Sequence, residues 1–350
     1  MPGVIAIEEA TIDPGSVPTI EETIRYLLPG SHVDIKAAVA GHAKKLLDIH
    51  DERLRTMDEE GVEFMLFSHT SPGPQGQIDP KIAEGMATRS NDWLSGEVRK
   101  NPKRFGALAA LSMHDPVQAA KELTRAVKEL GMFGGLVNDY QSFGSEGDGR
   151  LYYDTKEYDT FWKTVEELDV PIYFHPRYPS PAEMRPEGKY AHRGWLLGAG
   201  VQFHLDLSWH IYAVCSSGVF DRFPKVQIIA GHLGENIPFN LHRADHWLNQ
   251  PSKRASRPCI HDYTYYFRHN VHITTSGNFW TPGLKLCVNV LGPERCLFAI
   301  DTPYERTEEG MEWWRSVSFD NDDERSPGEK IKEMIGRGNA IKLFRLPLDP

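Results

Sequence analysis

A chain of 350 residues, 40% hydrophobic and 25% charged, is long enough for one large core or two smaller ones. Its formal charge of -10 and the lack of any basic stripe argue against a nucleic-acid binder. No apolar run approaches the roughly 18 residues that a membrane span needs.

The four cysteines, Cys215, Cys259, Cys287 and Cys296, are scattered without metal-type spacing, so a reduced, cytoplasmic setting is expected. Met1 to Ala6 lacks a basic n-region and is not read as a signal peptide.

In chain order, Val4 to Ile7 is a β-branched apolar run and reads as strand one. Residues 11–50 are irregular, broken by Pro14, Gly15, Pro18, Pro29, Gly30 and Gly41. A polar helix is predicted from His50 to Glu60, then strand two from Val62 to Ser68. The loop Ser71-Pro72-Gly73-Pro74-Gln75-Gly76 precedes a long helix from Asp79 to Lys100. Strand three covers Arg104 to Leu111. Asp115-Pro116 opens a helix to Leu130, with Asp as N-cap and Pro at the first helical position.

Strand four is Phe133 to Asn138, and a Gly-rich loop and a helix from Thr155 to Leu168 follow. Strand five, Val170 to His175, leads into a second long loop. Helices from Leu205 to Phe220 and Asn236 to Asn249 flank strand six, Val226 to Gly231. Strand seven is Val271 to Ser276, then a helix from Thr281 to Leu291. Strand eight is Arg295 to Ile300, and a final helix runs from Ser326 to Leu343.

Eight strand-like runs alternating with helices predict an α/β fold with a parallel sheet closed into a (β/α)8 TIM barrel. The expected organisation is one domain over 1–350. Residues 11–60 form a lid-like insertion after strand one, 326–350 form a C-terminal helix and tail, and long loops lie over the C-terminal mouth. A doubly wound open sheet is the alternative. It would usually carry a Gly-rich phosphate turn after strand one, where Glu8-Glu9-Ala10 stands instead.

Four apolar runs end abruptly in an ionisable residue: Glu8, His175, His232 and Asp301. In a parallel barrel the strand C-termini converge on one mouth, so these residues are expected to meet. Glu8, His175 and Asp301 form a mixed oxygen and nitrogen set suited to Zn²⁺, Mn²⁺ or Mg²⁺; taken singly, each also reads as a strand-end cap or an ion pair.

His232 and Glu235 are spaced i, i+3, which places them on one face of a first helical turn. There the carboxylate would hold the imidazole as a general base. A capped helix start is the other reading. Arg243, about two turns on, suits a carboxylate substrate, or is a surface residue. Phe203 walls an aromatic pocket or belongs to the core. His242 and His246 read as a solvated face, and His210 as core.

Ile7-Glu8-Glu9-Ala10, Tyr173-Phe174-His175-Pro176, Ala230-Gly231-His232-Leu233-Gly234-Glu235 and Phe298-Ala299-Ile300-Asp301 are joined by Ser71-Pro72-Gly73-Pro74-Gln75-Gly76, Ala110-Leu111-Ser112-Met113-His114-Asp115-Pro116, Gly218-Val219-Phe220-Asp221-Arg222-Phe223-Pro224 and Thr274-Thr275-Ser276-Gly277-Asn278-Phe279. Together they resemble the amidohydrolase superfamily. More narrowly, the chain is similar nearly end to end to its metal-dependent, non-oxidative ortho-hydroxybenzoate decarboxylases: the 2,3-dihydroxybenzoate, salicylate and γ-resorcylate enzymes, related to aminocarboxymuconate semialdehyde decarboxylase.

The resemblance implies metal ligands at Glu8, His175 and Asp301. It implies catalytic roles for His232, Glu235 and Asp301, and a substrate-side Arg243. Where the semialdehyde enzyme has His-x-His and γ-resorcylate decarboxylase has Glu-x-His, this chain has Glu8-Glu9-Ala10, and the dihydroxybenzoate and salicylate members also tend to have Ala at the last position.

The implied activity is reversible loss of CO₂ from a 2,3-dihydroxybenzoate- or salicylate-type acid. One divalent metal ion is implied (Zn²⁺, or Mg²⁺ or Mn²⁺), with no organic cofactor, in a homodimer or homotetramer. Two other readings stand beside it: a metal-dependent hydrolase of a lactone or amide, and a catalytically silent barrel.

Overall fold

The computed structural model describes residues 3–21, 24, 34–319 and 327–349. Parts of the insertion (22–23 and 25–33) and Ser326, the expected start of the last helix, lie outside the described residues. The strands are β1 (Val4–Thr11), β2 (Val62–His69), β3 (Phe105–Ala107), β4 (Ala109–Ala110), β5 (Gly135–Asn138), β6 (Gln141–Phe143), β7 (Gly149–Leu151), β8 (Ile172–His175), β9 (Ile228–Ala230), β10 (Val271–Thr274) and β11 (Cys296–Leu297).

Parallel pairing runs β1-β2-β3 in one arc and β4-β5-β8-β9-β10-β11 in the other. Only Leu108 separates β3 from β4, so eight parallel strands follow one another around a barrel in chain order. The antiparallel hairpin β6-β7 stands outside it. It occupies the stretch expected to be a Gly-rich loop.

Period-2 alternation sorts the side chains. Ile5, Ile7, Phe64, Leu66, Leu136, Tyr173, Ile229 and Leu297 share one buried cluster that fills the barrel. The opposite faces meet the helices, where Phe174 stacks on Trp162 at 6.2 Å between ring centroids. Burying side chains of this size stabilises the fold by about 2–3 kcal/mol each. Asp115 caps the Pro116–Lys128 helix as expected, its Oδ1 accepting from Val117 N at 2.8 Å.

The seam between β11 and β1 is closed differently. Strand eight was expected from Arg295 to Ile300, but ladder pairing covers only Cys296–Leu297. Beyond it, Phe298 N donates to Ile335 O at 3.0 Å. Ile300 N and Thr302 N donate to the two oxygens of the Glu9 carboxylate at 3.1 and 3.0 Å, and Ala10 N donates to Thr302 O at 2.8 Å. A side chain thus stands in for backbone rungs, and it fixes the residues on either side of Asp301.

Three further expectations shift. The helix predicted from Leu205 starts at Gln202 and ends at Ser216, so Phe203 sits in its first turn and not in the preceding loop. The helix after β9 begins at Ile237, and the residues before it coil the other way. The insertion carries a helix, Ile35–Leu47, seated on its own apolar cluster of Ala10, Ile12, Ile20, Ile24, Ala43 and Leu46. Among the described residues, no helix is long and apolar enough to cross a membrane.

Candidate active site

The second half of β1, the C-terminal end of β8, the turn after β9 and the segment after β11 bring Glu8, His175, His232 and Asp301 together at one mouth. Glu8 is buried. Its Oε2 accepts from the hydroxyls of Tyr173 and Ser276, and from Thr274 Oγ1 at 3.2 Å. Among the described residues its Oε1 has no hydrogen-bond partner, yet it lies 3.4 Å from both His175 Nε2 and His232 Nε2. His232 Nε2 is 3.9 Å from Asp301 Oδ2.

Second partners set the imidazole tautomers. His175 Nδ1 sits 2.7 Å from the Pro176 carbonyl, so that nitrogen carries the proton and Nε2 offers its lone pair to the mouth. His232 Nδ1 meets Glu235 Oε1 at 2.6 Å, with Glu235 buried.

The backbone that presents His232 is unusual. His232, Leu233, Gly234, Glu235 and Asn236 all have φ between 54° and 75°. The expected i, i+3 pair does form, but on a left-handed turn. Left-handed backbone costs L-residues about 1–2 kcal/mol each, and such strain persists only where the surroundings hold it. Gly231 lets the turn pass close to Glu8: a Cβ there would stand 3.0 Å from the Tyr173 hydroxyl and 3.2 Å from Glu8 Oε2.

The electrostatics of the mouth fit a cation-binding site. Burial pushes the Glu8 carboxyl up to about 8, with the His232 charge pulling the other way. Burial also raises the Asp301 carboxyl. His175 is pushed down to about 3 by burial and by the neighbouring His232 charge. Burial alone would lower His232, but the carboxylates of Glu235 and Glu8, with Asp301, outweigh it and hold the imidazole well above its ordinary value.

Lone pairs from an imidazole and a carboxylate face each other across 3.4 Å, and only a proton or a metal cation between them relieves that. One ligand atom from each of Glu8, His175 and His232 lies within 4.8 Å of the others, so this donor set fits a divalent ion. Asp301 stands beside that tightest trio, with its Oδ2 near His232.

Metal uptake must therefore displace protons. At pH 7 we expect about one proton released per ion, and affinity that rises with pH up to about 8, where Glu8 ionises unaided. Calorimetry in buffers of different ionisation enthalpy measures this; an uptake enthalpy independent of the buffer would count against it.

Two predicted residues are placed elsewhere. Arg243 is exposed on the Ile237–Leu248 helix and lines an outer groove of about 570 Å³ with Trp209, Tyr212 and Trp247. Phe203 packs edge-on to Tyr178, with centroids 5.1 Å apart, and is not among the residues lining the mouth. The mouth cavity itself is small, about 10 Å³, and is lined by Glu8, Ala10, Thr70, His175, Asp301 and Tyr304 among others.

Sequence reasoning passed over Tyr173, Ser276, Thr70 and Tyr304. The signal for Tyr173 was its i−2 spacing from His175, which puts both on one strand face. The polar run Thr274-Thr275-Ser276 at a strand end was the signal for Ser276.

Comparison with known proteins is consistent with this geometry. A family model described as amidohydrolase matches residues 37–346. The γ-resorcylate decarboxylase of Polaromonas sp. strain JS666 is 41% identical over 305 residues, covering 86% of this chain and 89% of that one. A solved 2,6-dihydroxybenzoate decarboxylase in complex with 2,6-dihydroxybenzoate is 37% identical with a TM-score of 0.88, covering 99% of this chain and 100% of that one. The Polaromonas dihydroxybenzoic acid decarboxylase, solved with manganese and 2-nitroresorcinol, is 36% identical with a TM-score of 0.87, covering 100% and 98%.

Proposed function

This chain belongs to the amidohydrolase family, and from that premise we propose that it removes CO₂ from an ortho-hydroxybenzoate without oxidation. The enzyme is a decarboxylase, a carbon–carbon lyase. The observation that carries the reading is the meeting of Glu8, His175 and Asp301 with a His232 backed by Glu235.

Direct loss of CO₂ from a benzoate would leave an aryl anion in the ring plane, without π stabilisation. An ortho hydroxyl opens another route. His232, held by Glu235 and in its neutral form, which a cation beside Glu8 would favour over the imidazolium, takes the phenolic proton, and the oxygen pushes electron density onto the carboxyl-bearing carbon. Asp301 delivers a proton to that carbon. The C–CO₂ bond then breaks, its electron pair restores the aromatic ring, and His232 returns its proton to the phenolate. The net reaction consumes one proton and yields phenol and CO₂.

A divalent ion (Mn²⁺, Zn²⁺ or Mg²⁺) would be held by Glu8, His175 and Asp301, with His232, the third member of the tightest trio, kept off the ion so that its Nε2 stays open to a proton; the ion would supply Lewis-acid charge that orients the acid and favours its phenolate. Burial supports the donor role of Asp301 by raising its carboxyl. A bound cation would oppose this by favouring the carboxylate, so the donor role would require an Asp301 free to hold its proton.

Likeness to γ-resorcylate decarboxylases favours 2,6-dihydroxybenzoate as substrate. Ala10, in place of an imidazole two residues after Glu8 within β1, favours a 2,3-dihydroxybenzoate or salicylate. CO₂ release from these three acids and orsellinate, with and without a chelator, ranks them. Metal-dependent release from at least one is expected; none from any, with metal bound, would overturn the assignment.

A homodimer or homotetramer completes the proposal. It is supported by Phe239 and Trp209, which are 77% and 56% exposed, with Trp209 lining the Arg243 groove.

A further inference from the structure

Above Ala10, the ends of β1, β2 and β11 carry a second polar feature. Thr70 follows β2 and its N donates to Thr11 O at 2.8 Å. Tyr304 follows Asp301, and its N donates to Asp301 O at 2.9 Å. The two hydroxyls meet at 2.5 Å across β1. Thr70, Tyr304 and Ala10 line the same cavity as Glu8, His175 and Asp301. Tyr304 remains 38% exposed although its hydroxyl is engaged. The ring also meets His42 of the Ile35–Leu47 helix, with centroids 5.1 Å apart, so the insertion packs against it.

Two hydroxyls hold two protons, and the bond between them uses one. The accepting hydroxyl keeps its own proton to donate, and both oxygens keep lone pairs. Ser71, the neighbouring hydroxyl, already donates to Pro176 O at 3.0 Å. Ala10 contributes only a methyl group to the same lining.

We propose that the Thr70–Tyr304 hydroxyl pair is a specificity element that selects aromatic ligands carrying a second ring hydroxyl over those with hydrogen there. The ligand class rests on the decarboxylase reading; the selection itself is read by binding alone. A site built to hydrogen-bond a hydroxyl loses affinity for the analogue lacking it, because its own polar groups are then left unpaired.

The test uses the metal-loaded protein and unreactive nitro analogues whose phenolate bands report binding: 2-nitrophenol, 2-nitroresorcinol and 3-nitrocatechol. The intact protein is expected to bind at least one dihydroxy probe roughly tenfold tighter than 2-nitrophenol. Tyr304→Phe, which keeps the ring, and Thr70→Val, which keeps the shape, are each expected to bring that ratio within about threefold of unity, and Thr70→Ser is expected to restore it. No preference in the intact protein, or a preference that survives either substitution, overturns the proposal. Failure of CO₂ release with an intact probe ratio would instead remove the reaction assignment and leave this element standing.

Discussion

Replacing His232 by Asn is expected to lower kcat for CO₂ release by about a hundred- to ten-thousand-fold, the usual contribution of a positioned acid–base group. Asn suits the test because it tolerates left-handed backbone, and His232 sits at φ 54°. The loss then reports chemistry and not a broken turn. Glu235→Gln should cost less, about ten- to a hundred-fold, because Gln keeps a hydrogen-bond acceptor for His232 Nδ1 and loses only the charge. The sign of its pH effect follows from the geometry. The Glu235 carboxylate, 2.6 Å away, helps hold His232 well above its ordinary value. Removing that charge lowers His232, so the acid limb of the pH–rate profile moves to lower pH while the maximum rate falls. Turnover by His232→Asn within tenfold of the intact enzyme, with metal content unchanged, would take the base role away from His232.

Asp301→Asn is the second large effect: an expected fall in kcat of about a hundredfold or more with bound metal retained. The backbone again permits a clean substitution, since Asp301 has φ 83° and Asn is at home there. Glu8 and His175 still present their ligand atoms, so metal content measured on the purified variant separates loss of the ion from loss of the proton donor. Near-normal turnover with metal bound would end the acid role. Full loss of metal would instead make Asp301 chiefly a ligand.

Much of the mouth was legible because its residues interrupt apolar strands. Glu8, His175, His232 and Asp301 each stop a run that β propensity alone would have continued, and a parallel barrel gathers such stops at one end. The handedness of the Gly231–Glu235 turn was not legible. An i, i+3 pair at a strand-to-helix junction looks the same in sequence whichever way the backbone coils. Tyr173 was hidden because a strand aromatic reads as core, and it does pack in the barrel while its hydroxyl serves Glu8.

Arg243 and Phe203 depend on which face of a helix meets which neighbour, and spacing within one chain leaves that open. The shortness of β11 was invisible for a related reason. Cys296 to Ile300 has strand composition throughout, but its later amides are taken by Ile335 and by the Glu9 side chain.

That Glu9 clasp bears on how the barrel breathes. Where strands are joined by a ladder, amide hydrogens become exchangeable rung by rung as the ladder frays. Here the amides of Ile300 and Thr302 hang on a single carboxylate. One rotation of that side chain frees both at once, so their deuterium uptake should follow a common clock, distinct from that of β9 and β10. The panel bearing Asp301 is thus latched to the rest of the wall, and a latch can open without any strand coming undone.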